Sequence, residues 1–183
     1  MKELSLNILD VTKNSVTAGA KNIAVRLTES EDGILTLKII DDGCGMSEET
    51  LRGVTDPFYT TRTTRMVGLG IPLLKLACEQ SGGALDIKST LGVGTEVTAT
   101  FDMNSIDFTP IGDMVSTMTV LIMGSPDIDF EYEHTAPGGR TVQLSTLQLR
   151  EVLGDIPLDS PEIVKWIGEY LQEQYDDFGG FNK

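Results

Sequence analysis

Cysteine, histidine and basic side chains are scarce in this 183-residue chain. Its two cysteines, Cys44 and Cys78, are too few for a disulfide framework and are not spaced as zinc ligands, so both are read as reduced thiols lying inside elements. The single histidine, His134, falls on the apolar face of a predicted strand, where a core or edge position is expected. Fourteen Lys and Arg against 28 Asp and Glu leave a formal charge of -14. With no local basic patch, a passive grip on nucleic-acid phosphates or anionic lipid is excluded. No apolar run reaches the roughly 18 residues of a membrane span, and the start MKELSLNILD lacks the apolar core and cleavage site of a signal peptide. A cytoplasmic protein is expected. What is present, 40% hydrophobic and 23% charged residues, suits one globular domain with an appendage.

The charge divides unevenly. Residues 1–101 hold 10 basic and 13 acidic side chains, whereas residues 102–183 hold 4 and 15, which places a unit boundary near Asp102. The first unit opens with a helical pattern, Leu4, Ile8, Val11 and Ser15, running to the Gly19 stop. A hairpin follows, Ile23, Val25 and Leu27 alternating before the Asp32-Gly33 turn and Leu35, Leu37 and Ile39 after it. Residues 46–66 show little periodicity and read as a long mobile segment; a second helix spans Leu69 to Gln80, and strands Ala84–Ser89 and Thr95–Phe101 flank the LGVG turn. The second unit starts with a linker around FTPIGD and a helix from Met114 to Met123 capped by Asp113. Met114, Met118 and Met123 are at core spacing, with an adaptable partner surface as the alternative. A hairpin over 128–144 follows, then a helix from Ser160-Pro161 with Ile163, Trp166, Ile167, Tyr170 and Leu171 on one stripe and a frayed tail after Tyr175.

Four pieces carry chemistry, each with a plain alternative. Asp10 and Asn14, four apart with Asn7 nearby, share a helix face and could hold a water and a divalent cation, or be a solvated face. IIDDGCGM sets Asp41 after a hydrophobic strand and before two glycines, where backbone approaches a flat ligand closely and a fixed carboxylate accepts an exocyclic amine proton; alone it is also a tight turn. VGLGIPLLKL puts Gly68 and Gly70 at a helix start, where free N–H groups and the dipole favour phosphate, although the sequence is not a P-loop. Gly92, Gly94 and Thr95 could form an ordinary hairpin turn.

In order, DVTKNS, DDGCGM, DPFYTTR, VGLG and GVGT resemble the motif series of the GHKL ATPases, the family that includes the ATPase subunit of DNA gyrase, histidine kinases, the heat-shock chaperone ATPase and the mismatch-repair ATPases. The resemblance covers residues 1–101 and is strongest to histidine-kinase catalytic domains and small stand-alone bacterial ATP-binding proteins. It implies an α+β fold: a two-layer sandwich with a mixed, mainly antiparallel sheet, helices on one face, and here a C-terminal α/β extension that could complete the sheet and bind a partner. It also implies ATP and Mg2+ as cofactors. Asn14 matches the magnesium ligand, Asp41 the adenine-recognising aspartate, and Thr95 a threonine of the adenine water network. Gly43 and Gly45 shape the pocket wall, while Gly68, Leu69 and Gly70 cover the phosphates. Residues 46–67 match the ATP lid, with Phe58 as anchor, Thr61 and Arg62 at its polar positions, and Arg62 or Arg65 meeting the γ-phosphate. Asp10 stands where hydrolytic members carry a water-activating glutamate, one methylene longer.

This leaves binding firmer than turnover. Positioning and metal electrostatics supply most of the barrier lowering in phosphoryl transfer, so a general base is dispensable if the γ-phosphoryl goes to a protein side chain. Only Met1 and Lys2 precede Glu3, so no helical hairpin bearing a phosphoacceptor histidine is expected before the domain. The expected function is a regulatory kinase acting in trans or an ATP-gated switch, with Asp10 and Arg62 as catalytic candidates. The alternatives are a stand-alone ATPase whose lid closure drives assembly, and a nucleotide-binding module without chemistry. A protein partner is expected, no nucleic acid or membrane, and a homodimer is left open.

Overall fold

The computed structural model describes residues 3–55 and 69–178. The element order is α1 (Leu4–Thr17), β1 (Asn22–Glu29), β2 (Ile34–Asp41), α2 (Glu48–Gly53), α3 (Gly70–Gln80), β3 (Leu85–Thr90), β4 (Gly94–Asp102), α4 (Met114–Gly124), β5 (Asp129–Thr135), β6 (Thr141–Ser145), α5 (Thr146–Leu153) and α6 (Pro161–Phe178). One six-stranded sheet runs in the order β3-β4-β2-β1-β5-β6. Every neighbouring pair is antiparallel except β1 and β5, so the sheet is mixed and mainly antiparallel, as expected.

Strand alternation decides which face is covered. Ile23, Val25 and Leu27 of β1, Leu35, Leu37 and Ile39 of β2, and Val97, Ala99 and Phe101 of β4 are buried on one face, against a layer in which α3, α1, α4 and α6 follow one another. The opposite face is largely polar, carrying Arg26, Lys38 and Glu96, the last two 3.5 Å apart as an ion pair. At the N-terminus of α1, Glu3 supplies no side-chain cap. The first orphan N–H groups instead donate to the carbonyls of Pro110 and Ile111, from Leu4 and Ser5, at 2.8 Å each. The stretch read as a linker is therefore tied to the start of α1.

The C-terminal residues enlarge the same sheet. β5 lies parallel on the edge of β1, from Asn22 opposite Asp129 to Thr28 opposite Thr135, and places Phe130, Tyr132 and His134 in the core. β6 then becomes the sheet edge. Its Gln143 N–H and C=O are both paired by the side-chain amide of Gln174 on α6, at 2.9 Å each, which blunts an edge otherwise open to strand addition.

Several expectations need correction. The stretch 46–66 is not wholly irregular: Ser47 accepts from the Thr50 N–H and starts α2. α5 stands where no helix is expected; Ser145 caps it, accepting from the Gln148 N–H. On α6 the buried stripe is Ile167, Leu171, Tyr175 and Phe178, while Trp166 and Tyr170 stack on each other at the surface with ring centroids 4.8 Å apart. The helix stays ordered past Tyr175, because Tyr175 and Phe178 pack around His134. Met114 and Met118 are core residues, and Met123 is 45% exposed. Cys44 lies in the loop after β2 and is exposed, and Cys78 is buried in α3.

Candidate functional site

Strand register brings the motif residues together. Asp41 on β2 pairs with Thr95 on β4, and Thr95 pairs with Ser89 on β3, so three polar side chains occupy one rung on the helix-covered face. The next rung inward is apolar, with Ile39, Val97 and Ile87. Asp41 Oδ2 accepts from Ser15 Oγ of α1 at 2.6 Å, and Oδ1 from the Gly43 N–H at 2.8 Å. A carboxylate offers about four lone-pair sites, so this one is fixed in orientation and retains acceptor capacity. Ser89 Oγ lies 2.8 Å from Thr95 Oγ1 and accepts the Met46 N–H at 2.8 Å, which ties the loop after β2 to the same rung.

The adjacent aspartate does different work. Asp42 accepts from the Asn22 side chain, the Asn22 N–H and the Lys21 N–H, at 2.9, 2.9 and 2.8 Å, and clasps the end of β2 to the start of β1. The Asn22 hydrogen bonds, that of its side chain foremost, hold the Asp42 carboxyl below the usual carboxylate range. Of the Asp-Asp pair, one member is structural and the other faces the pocket.

Glycines set the pocket wall. A Cβ at Gly45, whose φ is 70°, would meet the Thr90 carbonyl oxygen at 2.1 Å, and one at Gly94, φ 148°, would meet that of Asp41 at 2.1 Å. Neither backbone can yield, so the loops after β2 and before β4 close on one another only with glycine there. Beside this rung is a cavity of about 200 Å³ lined by Asn14, Ser15, Asp41, Gly45 and Thr95, with Val11, Ile71 and Val97 among its apolar walls. A flat, mostly apolar ligand with an amine at one edge fits such a cavity: apolar walls take its faces, and Asp41 accepts a hydrogen bond from the amine N–H.

Asn14 lies on the cavity wall, whereas Asp10, one turn earlier on α1, is exposed and does not line it. Asp10 adjoins Gly70, the first residue of α3, where an added Cβ would meet its backbone and Cβ at 3.5 Å. Leu69 precedes that helix and supplies no capping oxygen, and the N-terminus of α3 lies close to Asp10. Gly43 is buried against Ala18 behind Asp41. Phe58, Thr61, Arg62, Arg65 and Gly68 lie outside the described residues. Sequence reasoning missed Ser15 and Ser89, and it left Gly94 as an ordinary turn residue.

The family model described as "Histidine kinase-, DNA gyrase B-, and HSP90-like ATPase" matches residues 1–105. The chain belongs to this family. It carries a histidine-kinase-like ATP-binding module. Sensor protein SrrB of Staphylococcus aureus is 36% identical over 101 residues, 52% of this chain and 17% of that protein. A Shewanella frigidimarina protein described as a candidate sensor is 31% identical over 109 residues, 58% of this chain and 17% of that one. The chain thus spans under a fifth of the length of either relative. Among solved structures, the N-terminal domain of a DNA repair protein superposes with a TM-score of 0.57 at 15% identity, covering 85% of this chain and 58% of that one, a likeness of fold.

Proposed function

We propose that this chain is a Mg-ATP-dependent regulatory protein that either passes the γ-phosphoryl group to a separate protein or uses nucleotide to gate one. The observation that carries the reading is Asp41, oriented by Ser15 and Gly43 on the wall of an apolar cavity beside Thr95. Adenine recognition falls to that carboxylate, and Val11, Ile71 and Val97 cover the base. Asn14 is the protein oxygen for Mg2+, with Asp10 one turn away. Among the described residues no cluster of three or more His, Cys, Asp or Glu is placed to hold a metal. The ion would therefore take most of its ligands from phosphates and water, as Mg2+ commonly does. When bound, Mg-ATP supplies the transferable phosphoryl group and its charge neutralisation. The chain's part is to orient it: the α3 N-terminus toward the phosphates, with Arg62 or Arg65 as cationic candidates beside Thr61.

Transfer in trans is favoured over transfer to His134. That residue is fully buried, with Nε2 2.6 Å from Glu29 and Nδ1 2.9 Å from the Tyr175 hydroxyl. A simple ATPase is the second reading, favoured by Asp10 beside the first residue of α3. Incubation with γ-labelled ATP and Mg2+, recording free phosphate and protein-bound label together, separates the two. Tight nucleotide retention with almost no phosphate release, lost in Asn14→Ala and Asp41→Asn, is expected. Steady release that both variants abolish would replace this reading with the ATPase.

A further inference from the structure

The open face of the sheet carries a second concavity, unrelated to the nucleotide cavity on the helix-covered face. It is a trough of about 420 Å³ where the ends of β1, β2 and β5 meet α5. Ala24 and Ile40 form its floor and Leu147, 51% exposed, overhangs it from the first turn of α5. Asp42, Asp129 and Glu131 stand at its rim. Asp41 contributes only backbone side, since its carboxylate turns to Ser15 on the other face. Arg150 pairs with Asp129 at 2.7 Å and offsets one rim charge, and no lysine or arginine is among the residues that line the trough. An apolar floor with an overhanging leucine and a net negative rim asks for an apolar side chain flanked by cations.

The chain's charge decides among occupants. With -14 overall, and -11 of it from residues 102–183, a second copy, a nucleic acid or an anionic membrane would be repelled from this rim. A cationic protein segment would be drawn to it and held by burial of Leu147. We propose that the trough docks a basic segment of a partner protein, one aliphatic side chain seated between Ala24, Ile40 and Leu147 and its flanking lysine or arginine side chains meeting Asp42 and Glu131. The inference does not depend on whether phosphoryl is transferred or ATP hydrolysed.

The test uses the whole chain and a short labelled peptide alternating lysine with leucine, beside lysine–serine and glutamate–leucine controls. Fluorescence anisotropy gives affinity, and amide chemical shifts give the location. The lysine–leucine peptide is expected to bind best and to shift Ala24, Ile40 and Leu147. Affinity should fall about tenfold in Leu147→Lys and about threefold in Glu131→Gln, which keeps an acceptor for Ser145. ATP affinity measured on the same samples should not change, which shows that the variants are folded. Equal binding by Leu147→Lys and the parent chain, equal binding of the lysine–serine peptide, or shifts mapping elsewhere would overturn the proposal. So would a concentration-dependent dimer in sedimentation that Leu147→Lys abolishes, since the occupant would then be a second copy.

Discussion

Two polar clusters sit at opposite ends of the same buried apolar layer and spend their hydrogen bonds differently. At one end Asp41, Thr95 and Ser89 share a rung beside a cavity, and the carboxylate keeps acceptor capacity after binding Ser15 and Gly43. Toward the other end, His134 is fully buried between Glu29 and Tyr175, and Tyr175 in turn meets the Tyr132 hydroxyl. The contacts form one continuous chain, Tyr132 hydroxyl to Tyr175 hydroxyl, Tyr175 hydroxyl to Nδ1 and Nε2 to the Glu29 carboxylate. The first cluster is built to receive something, and the second ties β1, β5 and α6 together. Burial of polar groups therefore does not by itself mark a site; the capacity left over and a cavity beside it do.

Substitutions sharpen that contrast. The largest effect is expected at Gly94, where an alanine Cβ meets the Asp41 carbonyl oxygen without room to yield. Gly94→Ala should lose about 3 kcal/mol of stability in urea unfolding, and ATP binding with it. His134→Leu should come next, also about 3 kcal/mol, because it strands the largely buried Glu29 carboxylate, 15% exposed, without its partner. Tyr175→Phe, which only interrupts the chain, should cost about 1 kcal/mol. Neither of these two should alter nucleotide affinity once folded, which calorimetry on the native fraction checks.

The open cluster should respond the other way. Asp41→Asn keeps an acceptor for the Gly43 N–H and loses the charge that faces an amine. ATP affinity should fall about 10- to 100-fold, the equivalent of one charge-assisted hydrogen bond, with the thermal midpoint nearly unchanged. Ser15→Ala frees the carboxylate to rotate and should weaken ATP by about fivefold. The smallest effect is expected at high pH. Burial, with the nearby Glu79 charge second, pushes the Cys78 thiol up to about 11, and burial also raises Tyr132 and Tyr175. Each folded-state value is raised, so its contribution is complete below the unfolded value and disappears as pH climbs through the folded one. For Cys78 stability should decline from about pH 9 to about 11, and Cys78→Ala should flatten that part of a urea midpoint-against-pH curve.

The two clusters were unequally legible in the sequence. Asp41 was visible because a hydrophobic strand ran straight into two glycines, and Asn14 and Thr95 because their motifs followed in order. Ser15 was seen only as part of a helical pattern, and Ser89 only as a strand end. Their roles depend on α1 packing over β2 and on β3 pairing with β4 rather than elsewhere. His134 was legible as a core residue from alternation, but its partners are 105 and 41 residues away, so the chain they form was not. α5 was hidden because it is only 8 residues long and Leu147 and Leu149 alternate within it as strand residues do, so that the Ser145 cap is the main mark of its start. On α6, periodicity selects Ile163, Trp166, Ile167, Tyr170 and Leu171; Ile167 and Leu171 are buried, but the stripe continues through Tyr175 and Phe178 rather than Trp166 and Tyr170, because α6 packs against α4 and β6.

Reading of an adenine amine by Asp41 is the step on which the proposed function turns. Calorimetric titration of Mg-ATP and Mg-GTP into the parent chain and Asp41→Asn tests it most directly. The account predicts ATP binding to the parent chain, little or no GTP binding, and an ATP affinity at least about tenfold lower in the variant with an unchanged melting curve. Equal ATP affinity in both proteins, or GTP bound as tightly as ATP by the parent chain, would contradict it.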